Sequence, residues 1–197
     1  MKEYFESLPK KEGFGSPIDD LATYFLPERN FQEFERVLKT FLVNCVACAL
    51  DDSFNNNKCL VLYGPQGIGK SEFISWLIPP ELNSRTVFFD SLKQIDYSGQ
   101  FIINLYDSCY QHNSKDLERI LAKKMFPYRE LYRKTGIIKP RRASFFTSVC
   151  EPEAIEAMKH YEFYEIVEIR AIDFWYQKKI DVKDVWADAY AIYNLPF

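Results

Sequence analysis

Residues 60–71 read LVLYGPQGIGKS, an apolar run that leads into the complete pattern GxxxxGK[ST] between Gly64 and Ser71. This pattern is typical of a phosphate-binding loop between a strand and a helix. Glycines let backbone N–H groups turn inward around phosphate oxygens, where a Cβ would block the path. Lys70 supplies a mobile positive charge for the outer phosphates, and the Ser71 hydroxyl can reach Mg²⁺.

The sequence on both sides of the loop fits this interpretation. Leu60–Tyr63 is a candidate strand, and Glu72–Ile78 is an amphipathic segment that stops at two prolines. A helix starting there directs its positive end at the same anion. We therefore expect ATP or ADP with Mg²⁺ to bind here, the alternative being a Gly-rich turn without a ligand. The residues expected to bind the nucleotide are Gly64, Pro65, Gln66, Gly67, Ile68, Gly69, Lys70, Ser71 and Glu72.

Composition limits the class of protein. The 197 residues are enough for one sizeable domain, and a hydrophobic content of 47% predicts a well-filled core. The net charge of -3 argues against a protein that binds nucleic acid over its whole surface. No stretch approaches the roughly 18 apolar residues of a membrane span, and the charged residues 1–13 lack a signal-peptide apolar region. We expect a cytoplasmic protein.

Two of the five cysteines, Cys45 and Cys48, form a C-x-x-C inside an apolar helical pattern. No second cysteine pair follows at the spacing of zinc ligands. We expect buried, reduced thiols here, with a redox or metal site as the alternative.

Helix-start signals mark the N-terminal segment. Ser16 predicts an N-cap with Asp19 as the reciprocal capping side chain. Asn30 predicts the cap of a longer helix, in which apolar residues recur at helical spacing. We interpret residues 1–58 as a helical lead-in packed on a core formed by residues 59–197.

Helices alternate with strands after the loop. The candidate strands are Thr86–Phe89, Phe101–Tyr106, Ala143–Val149 and Tyr164–Ile169, and the candidate helices are Asp116–Met125 and one capped by Asp181. Residues 126–142 are a candidate hairpin. This order predicts an α/β fold, a three-layer P-loop NTPase core around a mostly parallel sheet.

Several segments together resemble the virulence-associated protein E family, a helicase-like branch of the AAA+ ATPases near the superfamily-three helicases. They are YFESLPKKEGFGSPIDDLATYFLPE, FERVLKTFLVNCVACAL, the loop itself, FIINL, RASFF and a closing IDVKDVWADAYAIY, and they extend from Tyr4 to Tyr193. The resemblance implies an ATP-binding motor domain, often assembled as a ring, that acts in the DNA replication of phages, plasmids and other mobile elements.

The same resemblance places catalytic groups, and this chain departs from three of them. After FIINL the family has an acidic pair, but here Tyr106 precedes Asp107. Asp107 is then expected to act with Lys70 in catalysis and with Ser71 in holding Mg²⁺. A polar sensor, usually Asn, is replaced by Cys150.

The third departure is an arginine that the family places before its next strand. Residues 160–163 contain none, and Phe163 stands at the corresponding position. Such an arginine is worth about three to five orders of magnitude in rate in GTPases. We expect nucleotide binding with weak or absent hydrolysis. If the alignment is shifted, substitutes are available: Asp90, Asp96 and Asn104 for the acid, and Arg170 for the arginine.

A basic cluster lies in the candidate hairpin of an otherwise acidic chain. Its cations are Arg129, Arg133, Lys134, Lys139, Arg141 and Arg142, interleaved with Tyr128 and Tyr132. In the helicases that the family resembles, a hairpin at this place grips DNA phosphates. We expect Lys134, Lys139, Arg141 and Arg142 to contact DNA, the alternative being a solvated charged surface.

Three functions are compatible with these features. The first is an ATP-binding helicase-like domain of a mobile element. The second is a non-catalytic interaction protein ordered by its nucleotide. The third, a small phosphotransferase, is disfavoured because the arginines precede a strand instead of forming a lid.

Overall fold

The structure is a computed structural model that describes residues 1–9, 15–82, 84–88, 92, 95–106, 110–128 and 137–195. Its helices are α1 Lys2–Glu6, α2 Pro17–Ala22, α3 Phe31–Leu50, α4 Lys70–Leu77, α5 Tyr110–Leu121, α6 Pro152–Met158, α7 Tyr176–Lys179 and α8 Val182–Tyr193. Its strands are β1 Phe25–Pro27, β2 Cys59–Tyr63, β3 Arg85–Phe88, β4 Ile102–Tyr106, β5 Met125–Tyr128, β6 Ile137–Pro140, β7 Ser144–Val149 and β8 Tyr164–Ile172.

Six strands form the central sheet in the order β1-β8-β2-β7-β4-β3. β2 lies parallel to both β7 and β8, and β4 lies parallel to both β7 and β3. β1 is the antiparallel exception at the edge. The predicted mostly parallel sheet is confirmed. Because parallel strands end at the same edge, the segments that follow β2, β7 and β8 meet there.

Helices cover both faces of the sheet. Leu60 and Leu62 of β2 belong to one buried cluster with α1, α2, α3, α4 and α8. Cys59 and Val61 belong to the other, with α5 and α6. The alternation follows from the period of two along a strand, and it gives the α/β arrangement of a sheet between two helical layers.

The N-terminal segment is helical in part. The Ser16 hydroxyl accepts from the Asp19 N–H at 3.2 Å, as predicted. The Asp19 carboxylate, however, pairs with Lys39 at 2.5 Å. Asn30 caps α3, as predicted. Between these helices β1 pairs with β8, so residues 1–58 are not a purely helical lead-in, and the boundary at residue 58 stays a prediction.

One stretch of β8 has an open edge. β1 pairs with Ile169, Ala171 and Ile172 of β8. Among the described strands none pairs with the same edge of β8 between Tyr164 and Val167. A cavity of about 700 Å³ lies there, between the start of α3 and α6.

The predicted burial of Cys45 and Cys48 is confirmed, and both are free of disulfides. Burial raises the pKa of the Cys45 thiol above its ordinary value. In the described parts of the chain, no helix is both long and apolar enough to cross a bilayer.

Candidate functional site

The candidate site is the connection between β2 and α4. β2 ends at Tyr63, residues 64–69 form the loop, and α4 begins at Lys70. Gly67 and Gly69 have φ of 82° and 90°, a left-handed conformation that side chains with a Cβ disfavour. The two glycines therefore give the loop a backbone path that other residues would strain.

Gly64 is required for a different reason. A Cβ built on it would lie 2.0 Å from the Ile169 carbonyl oxygen of β8. The loop therefore begins in direct contact with the neighbouring strand. Any side chain at this position would push the loop away from β8.

Lys70 is directed into the loop. Its Nζ donates to the carbonyl oxygens of Gly64 and Pro65, both at 2.7 Å, and its side chain is almost fully buried. Burial lowers the pKa of Lys70, while the negative charge of Glu151 acts in the opposite direction. An ammonium held this way can exchange loop carbonyls for an anion without a large movement.

The remaining loop residues surround Lys70. Ser71 Oγ lies 3.0 Å from Ser148 Oγ at the end of β7. Ile68 packs against the first apolar core, next to Gly64. Pro65, Gln66 and Glu72 are exposed. The nine residues predicted to bind nucleotide lie together because they are contiguous in the chain. The structure also shows that β7 lies next to them.

Glu151 is a site residue that the sequence analysis missed. Its carboxylate accepts from the Cys150 N–H at 3.3 Å and from the Cys150 thiol at 3.2 Å. The hydrogen bond from Cys150 holds the pKa of Glu151 below its usual range, and the charge of Lys70 contributes. The available signal was its position after β7, at the edge where the loop lies.

The predicted acidic site is only partly described. Asp107 and the substitute Asp90 lie outside the described residues, and Tyr106 ends β4. Asn104 is buried inside β4, paired in register with Phe146. Asp96 precedes the start of β4, at the opposite edge of the sheet from the loop. Asp96 and Asn104 are therefore wrong as substitutes for the acid.

Phe163 and Arg170 bear on the missing arginine. Phe163 is buried against Tyr164, with ring centroids 4.3 Å apart. Arg170 follows Ile169, which contacts Gly64, but its guanidinium forms an ion pair with Glu28. The hydrogen bond that Arg170 donates to the Glu28 carboxylate raises the pKa of Arg170 above its ordinary value. In this conformation Arg170 is directed at Glu28 and not at the loop.

The predicted hairpin is confirmed at its base, where β5 and β6 are antiparallel. Lys139 lies with Nζ 3.6 Å from the centroid of the Tyr128 ring, a cation–π contact on the hairpin. Lys134 falls outside the described residues, as do Arg129, Tyr132 and Arg133.

The expectation that Arg141 contacts DNA is wrong. Arg141 is 0% exposed, and desolvation lowers its pKa. Its guanidinium donates to oxygens of the 55–56 loop, the end of α5 and the chain just before β7: Asn55 Oδ1, Asn56 O, Leu121 O, Lys123 O and Ala143 O. This cage satisfies a buried charge with carbonyl and amide oxygens, so Arg141 holds three segments together.

Arg142 is also engaged inside the chain. Its guanidinium donates to the Ala49 carbonyl oxygen at 2.7 Å and pairs with Asp52. Of the four predicted DNA contacts, Lys139 is therefore the described residue best placed to meet a phosphate.

The comparison with protein families settles what this chain resembles. Residues 16–195 match the model of the virulence-associated protein E-like domain. The chain belongs to this family. The membership confirms the resemblance carried by the segments around the loop, over nearly the whole length of the chain.

Two solved structures of the C-terminal region of NrS-1 are similar to the protein. An apo structure of its residues 305–718 has a TM-score of 0.63 and 11% identity, covering 97% of this chain and 48% of that one. An A-form apo structure has a TM-score of 0.61 and 13% identity, covering 95% and 47%. The likeness is one of fold, and the chain spans about half the length of these NrS-1 chains. None of the curated proteins compared with the chain matches its sequence.

Proposed function

We propose that the protein is the ATP-binding, helicase-like P-loop domain of a replication protein from a mobile element such as a phage or plasmid. The observation that carries the proposal is the Gly64–Ser71 loop, with Lys70 turned into it and α4 starting beside it. Membership of the virulence-associated protein E-like family supports the same function.

The loop residues fit a nucleotide with Mg²⁺. The positive-φ backbone at Gly67 and Gly69 leaves N–H groups free to turn inward, and Lys70 can transfer its two hydrogen bonds from carbonyl oxygens to phosphate oxygens. The Ser71 hydroxyl would hold Mg²⁺, with Asp107 as the expected carboxylate. When bound, ATP and Mg²⁺ supply the transferable phosphoryl group and the neutralisation of its charge.

We further propose that hydrolysis is weak. Tyr106, Cys150 and Phe163 occupy the positions of an acid, an amide and an arginine in the family pattern. Phe163 is buried, and the Cys150 thiol donates a hydrogen bond to Glu151. Neither side chain is therefore positioned to contact a γ-phosphate. These contacts also favour the second candidate, a non-catalytic protein in which bound nucleotide orders a surface for a partner.

Calorimetry with ATP and Mg²⁺ tests the proposal. Lys70→Ala removes a charge-assisted contact and should weaken binding by about 1.5–3 kcal/mol, whereas Lys183→Ala, an exposed lysine paired with Glu81, should leave it unchanged. Phosphate release should stay far below the ordinary enzyme value of about 10 per second. The absence of nucleotide binding by the folded, unmutated protein would refute the proposal, and fast turnover would refute the weak hydrolysis.

Lys139 and the β5–β6 hairpin support a proposed contact with DNA backbone phosphates. Affinity for single-stranded DNA should then fall with salt, with a slope of about −0.7 per contacted phosphate. Lys139→Ala should flatten the slope by about that amount, while Lys159→Ala, directly after α6, should not. An unchanged slope in Lys139→Ala would identify the hairpin as a solvated charged surface. Assembly into a ring of identical subunits remains part of the proposal.

A further inference from the structure

Two large aromatic side chains are exposed immediately after β8. Phe174 is 43% exposed and Trp175 is 56% exposed, although the next residue, Tyr176, is fully buried. Tyr176 belongs to the first buried cluster, whereas Phe174 and Trp175 belong to neither of the two. Exposed aromatic side chains beside a rigid loop are characteristic of binding sites.

Phe174, the first of the two, lies at the phosphate loop, and Trp175 follows it directly in the chain. A Cβ built on Gly69 would come within 2.6 Å of two ring atoms of Phe174, and within 3.7 Å of Glu72 Oε2. Phe174 therefore lies against the point at which the loop becomes α4. Its ring and the first turn of α4 border the same space.

The segment that carries the pair is held firmly. The Asp173 N–H donates to Tyr24 O at 2.8 Å, and the Asp173 carboxylate accepts from the Trp175 N–H at 3.0 Å. Tyr176 packs on α4, with its ring centroid 4.8 Å from that of Trp76. The aromatic pair is thus fixed to the helix that starts at Lys70.

Trp175 also has a cation beside it. Lys178 Nζ lies 4.8 Å from the centroid of the indole ring, within the range of a cation–π contact. This contact restricts the indole and leaves positive charge next to it.

We propose that Phe174 and Trp175 form the stacking surface for the base of a nucleotide whose phosphates lie on the loop from Gly64 to Ser71. The inference rests on the proposed function, because it assumes that the phosphates bind there. The ribose and base of such a nucleotide would lie beyond its phosphates, and Phe174 borders the first turn of α4 next to the loop. Stacking tolerates any base, because every base has a π-face, so purine nucleotides of either kind should bind, and pyrimidine nucleotides more weakly.

The test compares ATP with inorganic tripolyphosphate, which has the phosphates and no base. In the double variant Phe174→Ala, Trp175→Ala the affinity for ATP should fall by about 5- to 100-fold, and the affinity for tripolyphosphate should stay the same. Phe31→Ala, an exposed phenylalanine at the start of α3, is the matched control and should change neither. Circular dichroism of each variant verifies its fold.

Fluorescence gives a second readout. ATP should quench the tryptophan emission of the unmutated protein. Trp175→Phe should keep the ATP affinity but lose the quenching that comes from the Trp175 indole. Trp76 and Trp186 still emit in this variant. Tripolyphosphate should not quench.

Each contrary result has a distinct meaning. If ATP and tripolyphosphate bind the unmutated protein and the double variant equally well, the base site is refuted and the phosphate site stands. If the double variant changes the oligomeric state with ATP affinity unchanged, the pair is a subunit contact and the base site is again refuted. If the unmutated protein binds neither ligand, the phosphate site fails, and the base site fails with it.

Discussion

The Cys150 thiol is exposed at the end of β7 and donates to the Glu151 carboxylate at 3.2 Å. The hydrogen bond to Glu151, then desolvation and the negative charge of the carboxylate, raise the pKa of the Cys150 thiol above its ordinary value. A cysteine beside Lys70 would otherwise be expected to be reactive, because a nearby cation favours the thiolate. At this position the carboxylate outweighs the ammonium and keeps the thiol protonated.

Glu151→Gln should therefore speed the alkylation of Cys150. Removing the carboxylate charge lowers the pKa of the thiol, so more thiolate is present at pH 7.5 and the rate should rise severalfold. Peptide mass spectrometry after a timed iodoacetamide pulse measures the rate at Cys150. Glu153→Gln, in the first turn of α6, is the control. Equal rates in all three proteins would show that Glu151 does not govern the thiol.

At the scale of elements, Arg141 connects the end of the β5–β6 hairpin to the end of α5 and to the loop before β2. Five hydrogen bonds to backbone and amide oxygens replace the carboxylate partner that a buried guanidinium usually has. The Leu121 carbonyl oxygen at the end of α5 accepts from Asn55 Nδ2 at 2.9 Å and from Arg141 at 3.4 Å, so the two side chains together satisfy a helix end.

Arg141→Met should destabilise the fold. The buried oxygens lose their donor, which should reduce the free energy of unfolding by about 3 kcal/mol, the upper value for a hydrogen bond to a charged group. Urea denaturation followed by circular dichroism measures the change. Arg119→Met, which removes an exposed pair with Asp116 on α5, should cost less than about 1 kcal/mol. Similar midpoints for the two variants would contradict the proposed role of Arg141.

Elements with local signals were predictable from the sequence, and contacts between distant segments were not. Asp181 and the apolar spacing after it gave α8 as the structure has it. β1 is three residues long and includes Pro27, so its pairing with β8 had no local signal. α5 starts at Tyr110, before the predicted Asp116, because its polar first turns hide the helical period. The burial of Arg141 depends on three segments that are distant in sequence.

At the scale of the whole molecule, each face of the sheet holds a buried thiol. Cys45 lies in the core that includes α3, and Cys59 lies in the core that includes α5 and α6. Burial raises the pKa of both thiols above the ordinary value. Because burial disfavours both thiolates in the folded protein, alkaline pH acts on both cores together.

Stability should therefore fall as the pH rises above about 8.5, where unfolded cysteines ionise. The raised folded pKa means that the native state keeps protons which the unfolded state releases, so the stabilisation present below that pH is lost above it. Each thiol should contribute up to about 1.4 kcal/mol per pH unit. Urea midpoints at pH 7.5, 9 and 10 measure the slope.

The double variant Cys45→Ala, Cys59→Ala is the comparison for this measurement. It should show a shallower decline over the same pH range, whatever its stability at pH 7.5. Identical declines in the variant and the unmutated protein would assign the alkaline sensitivity to other groups.

The open edge of β8 has a consequence for self-association of the protein. An unpaired strand edge is a template for edge-to-edge association and aggregation, and charged side chains are a common protection against it. Glu165 lies on this stretch and lines the cavity beside it. Two copies that met edge to edge here would bring their Glu165 carboxylates together. The Glu165 charge thus protects an edge that β1 leaves uncovered.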